Sequence, residues 1–288
     1  MSYSEDLLHR QNSDGGWGYR GGGSWAEPTC YALLALAAGA LAGSEAARRG
    51  ARWLARCQRS DGGLAPRESV AESTWVTALA LLLPTGLLPL GGVDRRRAGS
   101  WVLHQTGRES GWVNRLRLWM LGASPQDSFR FDGWQWFTGT AAWVIPTAIS
   151  ILALEKLGRE GGGSELSSRV AQGRAFLLAR HCKDGGWNHG STRALGYDSD
   201  SYPETTGIAL LALHGCGAPE ISRAVTRGEQ HLARCQSSEA ADWLTLGLLV
   251  HGRKAVAPRL AAHGTTMEIA LSGLADTALH GRNLFLES

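Results

Sequence analysis

The sequence predicts an all-α protein built from about five repeated helical hairpins, and three observations carry that prediction. Asp-Gly-Gly-Trp stands at Asp14–Trp17 and again at Asp184–Trp187, with a weakened copy, Asp-Gly-Gly-Leu, at Asp61–Leu64. Each copy follows an aliphatic and aromatic stretch at helical spacing and precedes a second apolar run. Gln11, Gln58 and Gln105 recur at a spacing of 47 residues. A unit of this size cannot bury its own apolar face, so the units must stack or close on one another.

The first helix of each unit is read in order from Leu7–Gln11, Trp53–Gln58, Trp101–Gln105, Phe176–His181 and His231–Gln236. The third unit takes its turn from Glu109-Ser110-Gly111-Trp112, and the fifth aligns Glu239 with the turn Asp. From Gln105 to His181 the interval is 76 residues, which marks an insertion at about 115–140, read as a lid over one mouth of the repeat array. Glycine reaches positive φ without steric cost and so suits a helix terminus, while the Asp bonds nearby N–H groups. The Gln is expected to satisfy orphan backbone groups at helix ends, and Trp17, Trp112 and Trp187 are read as structural parts of the turns.

The second helix of each unit has its own start signal. Ala26-Glu27-Pro28-Thr29, Ala71-Glu72-Ser73-Thr74 and Pro203-Glu204-Thr205-Thr206 each precede an almost wholly apolar run, and Val144-Ile145-Pro146-Thr147 does so without the acid. Pro in a first turn needs no N–H, and an acid there faces the positive end of the helix dipole. Being apolar all round, these second helices are predicted to be the inner ones. The tail, 254–288, holds a helix expected over Thr265–Leu279 that supplies the closing element of a single domain spanning 1–288.

No run of about 18 apolar residues exists, and the first residues lack the pattern of a signal peptide, so the reading is a cytoplasmic protein. Five cysteines without paired spacing are expected to be reduced. A net charge of +3 with scattered Arg excludes nucleic acid as a natural partner class. Leu81–Leu90 is unusually apolar for a stretch broken by Pro84, Gly86 and Pro89; it reads either as a connector packed on the next hairpin or as a peripheral membrane contact.

The repeat resembles the prenyltransferase and squalene oxidase repeat superfamily, which includes class II terpene cyclases and the β subunits of protein prenyltransferases. The resemblance is carried by Arg49-Gly50 with Trp53, Gln58 and Gly62-Gly63, and by Arg174-Ala175-Phe176 with Gly185-Gly186-Trp187. It spans about Leu7 to Arg253 and implies an α/α toroid whose cavity holds an apolar isoprenoid-like molecule. It also implies pairing, either with a second copy of the chain or with a second toroidal subunit.

The resemblance further implies where chemistry would lie. In class II cyclases an Asp-x-Asp-Asp-Thr motif opens one inner helix and its middle Asp protonates the substrate. That motif is absent, and its place before the inner-helix Thr is taken by Glu27, Glu72 and Glu204. Glu27 and Glu72 read either as helix-dipole partners or as residues lining the site. Glu204 follows Asp198 and Asp200, and these three acids are the catalytic candidates, with a polar turn as the other reading. The zinc ligands of the protein prenyltransferases have their nearest echo in Asp132-Gly133-Trp134, where Trp replaces the Cys, so neither metal nor cofactor is expected. Trp25, Trp75, Trp134, Trp136 and Trp143 are candidates to line the cavity, where their π faces would suit a carbocation, against the alternative of core packing. The function expected is terpene-cyclase-like or prenyltransferase-like, with a noncatalytic toroid that binds a prenyl lipid or a protein as the alternative.

Overall fold

A computed structural model describes residues 2–108, 120, 131–161, 163–194, 197–255 and 264–287. Its helices are α1 (Tyr3–His9), α2 (Ala26–Ala38), α3 (Glu45–Cys57), α4 (Val76–Leu81), α5 (Leu87–Gly91), α6 (Arg95–His104), α7 (Val144–Arg159), α8 (Ser164–Ala179), α9 (Pro203–Ala212), α10 (Pro219–Arg234), α11 (Ser238–Leu249) and α12 (Thr266–Leu279). Two antiparallel two-stranded ribbons pair β1 (Trp134–Gln135) with β2 (Ala142–Trp143), and β3 (Arg193–Ala194) with β4 (Tyr197–Asp198).

The helices form an α/α toroid. Following contacts around the ring, α2 packs on α4, α4 on α7, α7 on α9, α9 on α11, α11 on α12, and α12 returns to α2. Outside them, α1 packs on α12 and α2, α3 on α2, α6 on α4 and α7, α8 on α7, and α10 on α9 and α11. The division follows from sequence. In α3 the buried positions Ala47, Gly50, Ala51, Trp53, Leu54 and Cys57 form one face, whereas every residue of α2 except Glu27 is buried. Each fully buried leucine of α2, such as Leu33, Leu34 or Leu36, contributes about 1.5–3 kcal/mol of transfer free energy. Inside the ring, Tyr31 of α2 meets Trp243 of α11 edge-on at 6.0 Å, both buried.

The turns repeat in atomic detail. Trp17 N–H donates to Thr29 Oγ1 at 2.9 Å and its indole N–H to Leu7 O at 2.8 Å. Trp187 makes the same two bonds to Thr206 Oγ1 and Leu177 O, and Leu64 N–H donates to Thr77 Oγ1. Gly15, Gly62 and Gly185 take φ of 99°, 96° and 101°, and a Cβ on Gly15 or Gly62 would lie 2.8 Å from the backbone oxygen of Arg49 or Arg97. Gln11 Nε2 donates to Gly15 O and Ala46 O, and Gln58 Nε2 to Gly62 O and Asp94 O, so each Gln ties a turn carbonyl to the start of the next outer helix.

In the third unit the turn tryptophan is Trp134. Its N–H donates to Thr147 Oγ1 at 2.9 Å and its indole N–H to Val102 O at 2.7 Å, matching Trp17 bond for bond. Trp112, assigned that place from sequence, lies outside the described residues, as do 115–119 and 121–130 of the inserted segment. Within the described part of that segment Trp136 packs edge-on against Trp75 at 5.0 Å, while Met120 and Phe137 are exposed. The fifth unit also departs from expectation, because Glu239, aligned with the turn Asp, is instead the second residue of α11, which starts at Ser238 after α10 ends at Arg234. In the apolar stretch Leu81–Leu90 the leucines are buried save Leu90, which is 69% exposed, and Leu87 and Leu88 belong to α5, packed on α3. No helix among the described residues is long and apolar enough to cross a membrane.

Candidate functional site

The N-terminal ends of the inner helices meet at one mouth of the toroid, and two residue types are concentrated there. The first is aromatic: Trp25, Trp75, Trp143 and Tyr202 are the N-cap residues of α2, α4, α7 and α9, none bonding the helix end through its side chain. The second is acidic. Glu27, Glu204 and Glu239 each occupy the second residue of an inner helix, α2, α9 and α11.

The charges of the acids converge on Glu239. Burial first, then the neighbouring charges of Glu27, Glu268, Glu204 and Asp242, push the Glu239 carboxyl up to about 7. Glu27 is half-buried; burial raises its pKa, and a hydrogen bond from the Tyr19 hydroxyl opposes that rise. Helix N-termini favour the charged carboxylate, so burial and mutual repulsion outweigh the dipole at Glu239. Beneath the rim Asp242, only 5% exposed, accepts a hydrogen bond from Ser272 Oγ at 2.6 Å and is pushed up to about 7 by burial. Glu268 belongs to the ring closure, where it forms a capping box with Thr265.

Between the starts of α7 and α9 lies a cavity of about 380 Å³. Its apolar wall is Trp143, His189 and Tyr202, with ring centroids 6.1 Å apart for the first pair and 5.2 Å for the second. Arg180, Asn188 and Ser199 supply its polar edge. Trp143 is 38% exposed.

The structure divides the candidates taken from sequence. Glu204, Glu27, Trp25 and Trp143 stand at the mouth; Trp25 is half-buried, with the Arg67 guanidinium 5.0 Å from its ring centroid. Trp75 and Trp136 pack on each other in the wall, and Trp134 is 2% exposed and bonded into a turn, so it is a structural tryptophan. Glu72 is exposed and precedes α4 without entering it. Asp200 is exposed, and Asp198, 48% exposed on β4, pairs with Lys183 at 3.0 Å. Asp198 thus belongs to a surface ribbon and Asp200 lies just beyond it, whereas Glu204 and Glu27 are among the charges that act on Glu239. Sequence alignment missed Glu239 because it was registered on the turn Asp. The legible signal was its place: one residue after the N-terminal Ser of an apolar helix, as Glu204 follows Pro203. Among the described residues no group of three His, Cys, Asp or Glu side chains is arranged to hold a metal ion.

No protein-family model matches the chain, and no curated protein matches it. Solved structures do. The GH76 α-mannanase BT2949 of Bacteroides thetaiotaomicron is 11% identical, with a TM-score of 0.59, covering 96% of this chain and 94% of that one. The type II terpene cyclase MstE from Scytonema, in complex with its substrate geranylgeranyl dihydroxybenzoate, is 17% identical, with a TM-score of 0.54, covering 96% of this chain and 76% of that one. The ligand-free form of MstE is 18% identical, with a TM-score of 0.54, covering 98% and 79%. At these identities the likeness is one of architecture: the chain has the α/α toroid fold of terpenoid cyclases, a fold that the mannanase also adopts.

Proposed function

We propose that the mouth of the toroid binds an apolar isoprenoid-like molecule and that Glu239, kept protonated beside Glu27 and Glu204, donates the proton that starts its cyclisation. The observation that carries this reading is the convergence of three acids from three inner helices inside an aromatic rim, one of them with its carboxyl raised to about 7. Protonating an alkene needs a carboxylic acid that stays neutral in a water-poor setting, which burial and like charges supply. In the step, the Glu239 O–H bond breaks as a C–H bond forms at one alkene carbon, leaving a carbocation on the other. In this reading the exposed face of Trp143 helps to stabilise that charge. Ring closure moves the cation along the chain, and loss of a C–H proton to the carboxylate restores the acid. The aromatic cavity between Trp143 and Tyr202 would take part of the ligand.

A second reading, a toroid that binds such a molecule without turnover, is favoured by one observation. Below the rim the inner helices are buried on all faces, so a ligand is held at the mouth and not threaded into a deep lumen.

The test is incubation of the protein with squalene, farnesyl diphosphate and geranylgeranyl diphosphate, followed by mass spectrometry of extracted products and of retained ligand. A cyclised product that disappears in Glu239→Gln and persists in Asp198→Asn supports the catalytic reading. Retained ligand without product supports the second reading, and neither signal overturns both.

A further inference from the structure

The loop that enters α2 reads Arg20-Gly21-Gly22-Gly23-Ser24, and its backbone donors are open on one side. A Cβ on Gly18 would lie 2.9 Å from both Gly22 O and Gly23 O, so these two carbonyls converge on Gly18. The Asn12 side-chain amide ties the loop down by donating to Gly22 O and to Ser24 Oγ, each at 2.9 Å. Peptide groups are planar and trans, so the N–H groups of Gly23 and Ser24 both point away from Gly18. Neither donates a hydrogen bond among the described residues, although Ser24 is only 4% exposed. Buried backbone N–H groups are rarely left without an acceptor. Gly21 and Gly22, at φ of 74° and 95°, leave the space above the loop clear, and a Cβ on either would meet no atom within 4 Å.

A guanidinium stands beside this loop. Arg67 lies over the Trp25 ring, 5.0 Å from its centroid, and its Nη2 is 3.8 Å from the place a Cβ on Gly23 would take. Arg67 is half-buried, and its side chain makes no hydrogen bond or ion pair among the described residues. Other residues fix the backbone that carries it. Arg59 Nη2 donates to Arg67 O, Glu68 O and Val70 O at 3.1, 2.9 and 2.7 Å, and Pro66 O accepts from the Ala26 N–H at 2.8 Å. The acids at hand are engaged elsewhere, Glu68 with Arg56 at 2.8 Å and Glu27 with the Tyr19 hydroxyl. Arg20 is turned to the ring closure, its Nη2 and Glu268 Oε2 lying 3.9 and 3.4 Å from the place of a Cβ on Gly264. Arg67 is therefore a positioned cation whose donors remain open.

We infer that Arg67 and the loop 20–24 form an oxyanion site, for a phosphate or diphosphate group, at the edge of the mouth. The guanidinium takes two oxygens through its fork as charge-assisted hydrogen bonds. The Gly23 and Ser24 amides take a third, in the manner of backbone nests that hold anions. A tetrahedral phosphate presents oxygens to both sets of donors, whereas a planar carboxylate is served by the guanidinium alone. The phosphate is either a free anion or the head group of a larger ligand seated in the mouth. Binding of the anion requires neither an alkene nor a proton transfer, so it is tested apart from the cyclisation proposed above.

The test is isothermal titration of the full chain, at low ionic strength, with pyrophosphate, inorganic phosphate, acetate and farnesyl diphosphate. Saturable binding of pyrophosphate and phosphate is expected, with acetate about tenfold weaker or more. Arg67→Gln removes the fork and is expected to weaken pyrophosphate binding about tenfold or more. Gly23→Val fills the gap between loop and guanidinium and should weaken it similarly. That change is unstrained, since Gly23 has no positive φ and its Cβ would have no neighbour closer than 3.8 Å. Asp198→Asn, on the β3–β4 ribbon, should leave binding unchanged. Farnesyl diphosphate binding more tightly than pyrophosphate assigns the phosphate to a ligand seated in the mouth, and equal affinity assigns it to a free anion. Circular dichroism establishes that both variants fold. No saturable binding of pyrophosphate or phosphate, binding indifferent to both variants, or acetate bound as tightly as phosphate overturns the proposal.

Discussion

Thr266 and Gly18 join the two ends of the toroid: the Thr266 hydroxyl donates to the Gly18 carbonyl at 2.6 Å across 248 residues of sequence. The Thr266 amide donates in turn to Tyr19 O at 2.9 Å. These bonds seat α12 against α2 and place Tyr19 beside Glu27. Thr266→Val keeps the shape and removes the hydroxyl donor, leaving a buried carbonyl unpaired. The expected loss is about 1–3 kcal/mol, read from the midpoint of urea unfolding.

Stability should fall as pH rises through the range in which the buried acids of α11 ionise. Asp242 has its carboxyl raised from an ordinary 3.8 to about 7, and Glu239 is raised to about 7 as well. Both bind their proton more tightly folded than unfolded. The stability this supplies is complete below the unfolded pKa and is lost as pH climbs through the folded one. The unfolding free energy should therefore decline between about pH 4 and pH 7 from this source. Asp242→Asn retains an acceptor for Ser272 and removes one titrating group, so its decline should be shallower in chemical denaturation measured across that range.

Two tryptophans should behave oppositely. Trp134→Ala removes a buried ring and the indole hydrogen bond to Val102 O, and should cost about 3–5 kcal/mol. Trp143→Ala, at an exposed position, should cost under about 1 kcal/mol while reducing ligand retained at the mouth. Thermal unfolding paired with ligand extraction separates the two, and equal destabilisation would show Trp143 to be a packing residue.

Arg169 is a further determinant of the third turn. Its guanidinium donates to Asp132 O, Gln105 O and Gly133 O and lies 3.4 Å from the Trp134 ring centroid. Lysine cannot reproduce that planar fork, so Arg169→Lys should lose about 1–3 kcal/mol in denaturant unfolding.

How far the sequence carried can be judged from these residues. Trp17 and Trp187 were legible as turn tryptophans because Asp-Gly-Gly precedes both, and glycine at positive φ is a local requirement. Trp134 was not, because its turn lacks one glycine and the insertion hides its register; its role rests on Val102 and Thr147, which only folding brings to it. The acids divide the same way. Glu27 and Glu204 are legible through their helix starts, whereas Asp198 and Asp200 stand near Glu204 in sequence but are exposed, Asp198 on the β3–β4 ribbon and Asp200 just beyond it.

The sequence alone determined the helical repeat, the inner and outer helices and the turn chemistry, since each follows from local periodicity and backbone preference. The tertiary structure alone decided which acids share a mouth. Glu27, Glu204 and Glu239 lie far apart along the chain, and the influence of Glu27 and Glu204 on Glu239 arises only when α12 closes the ring and brings the N-terminal ends of α2, α9 and α11 to one face.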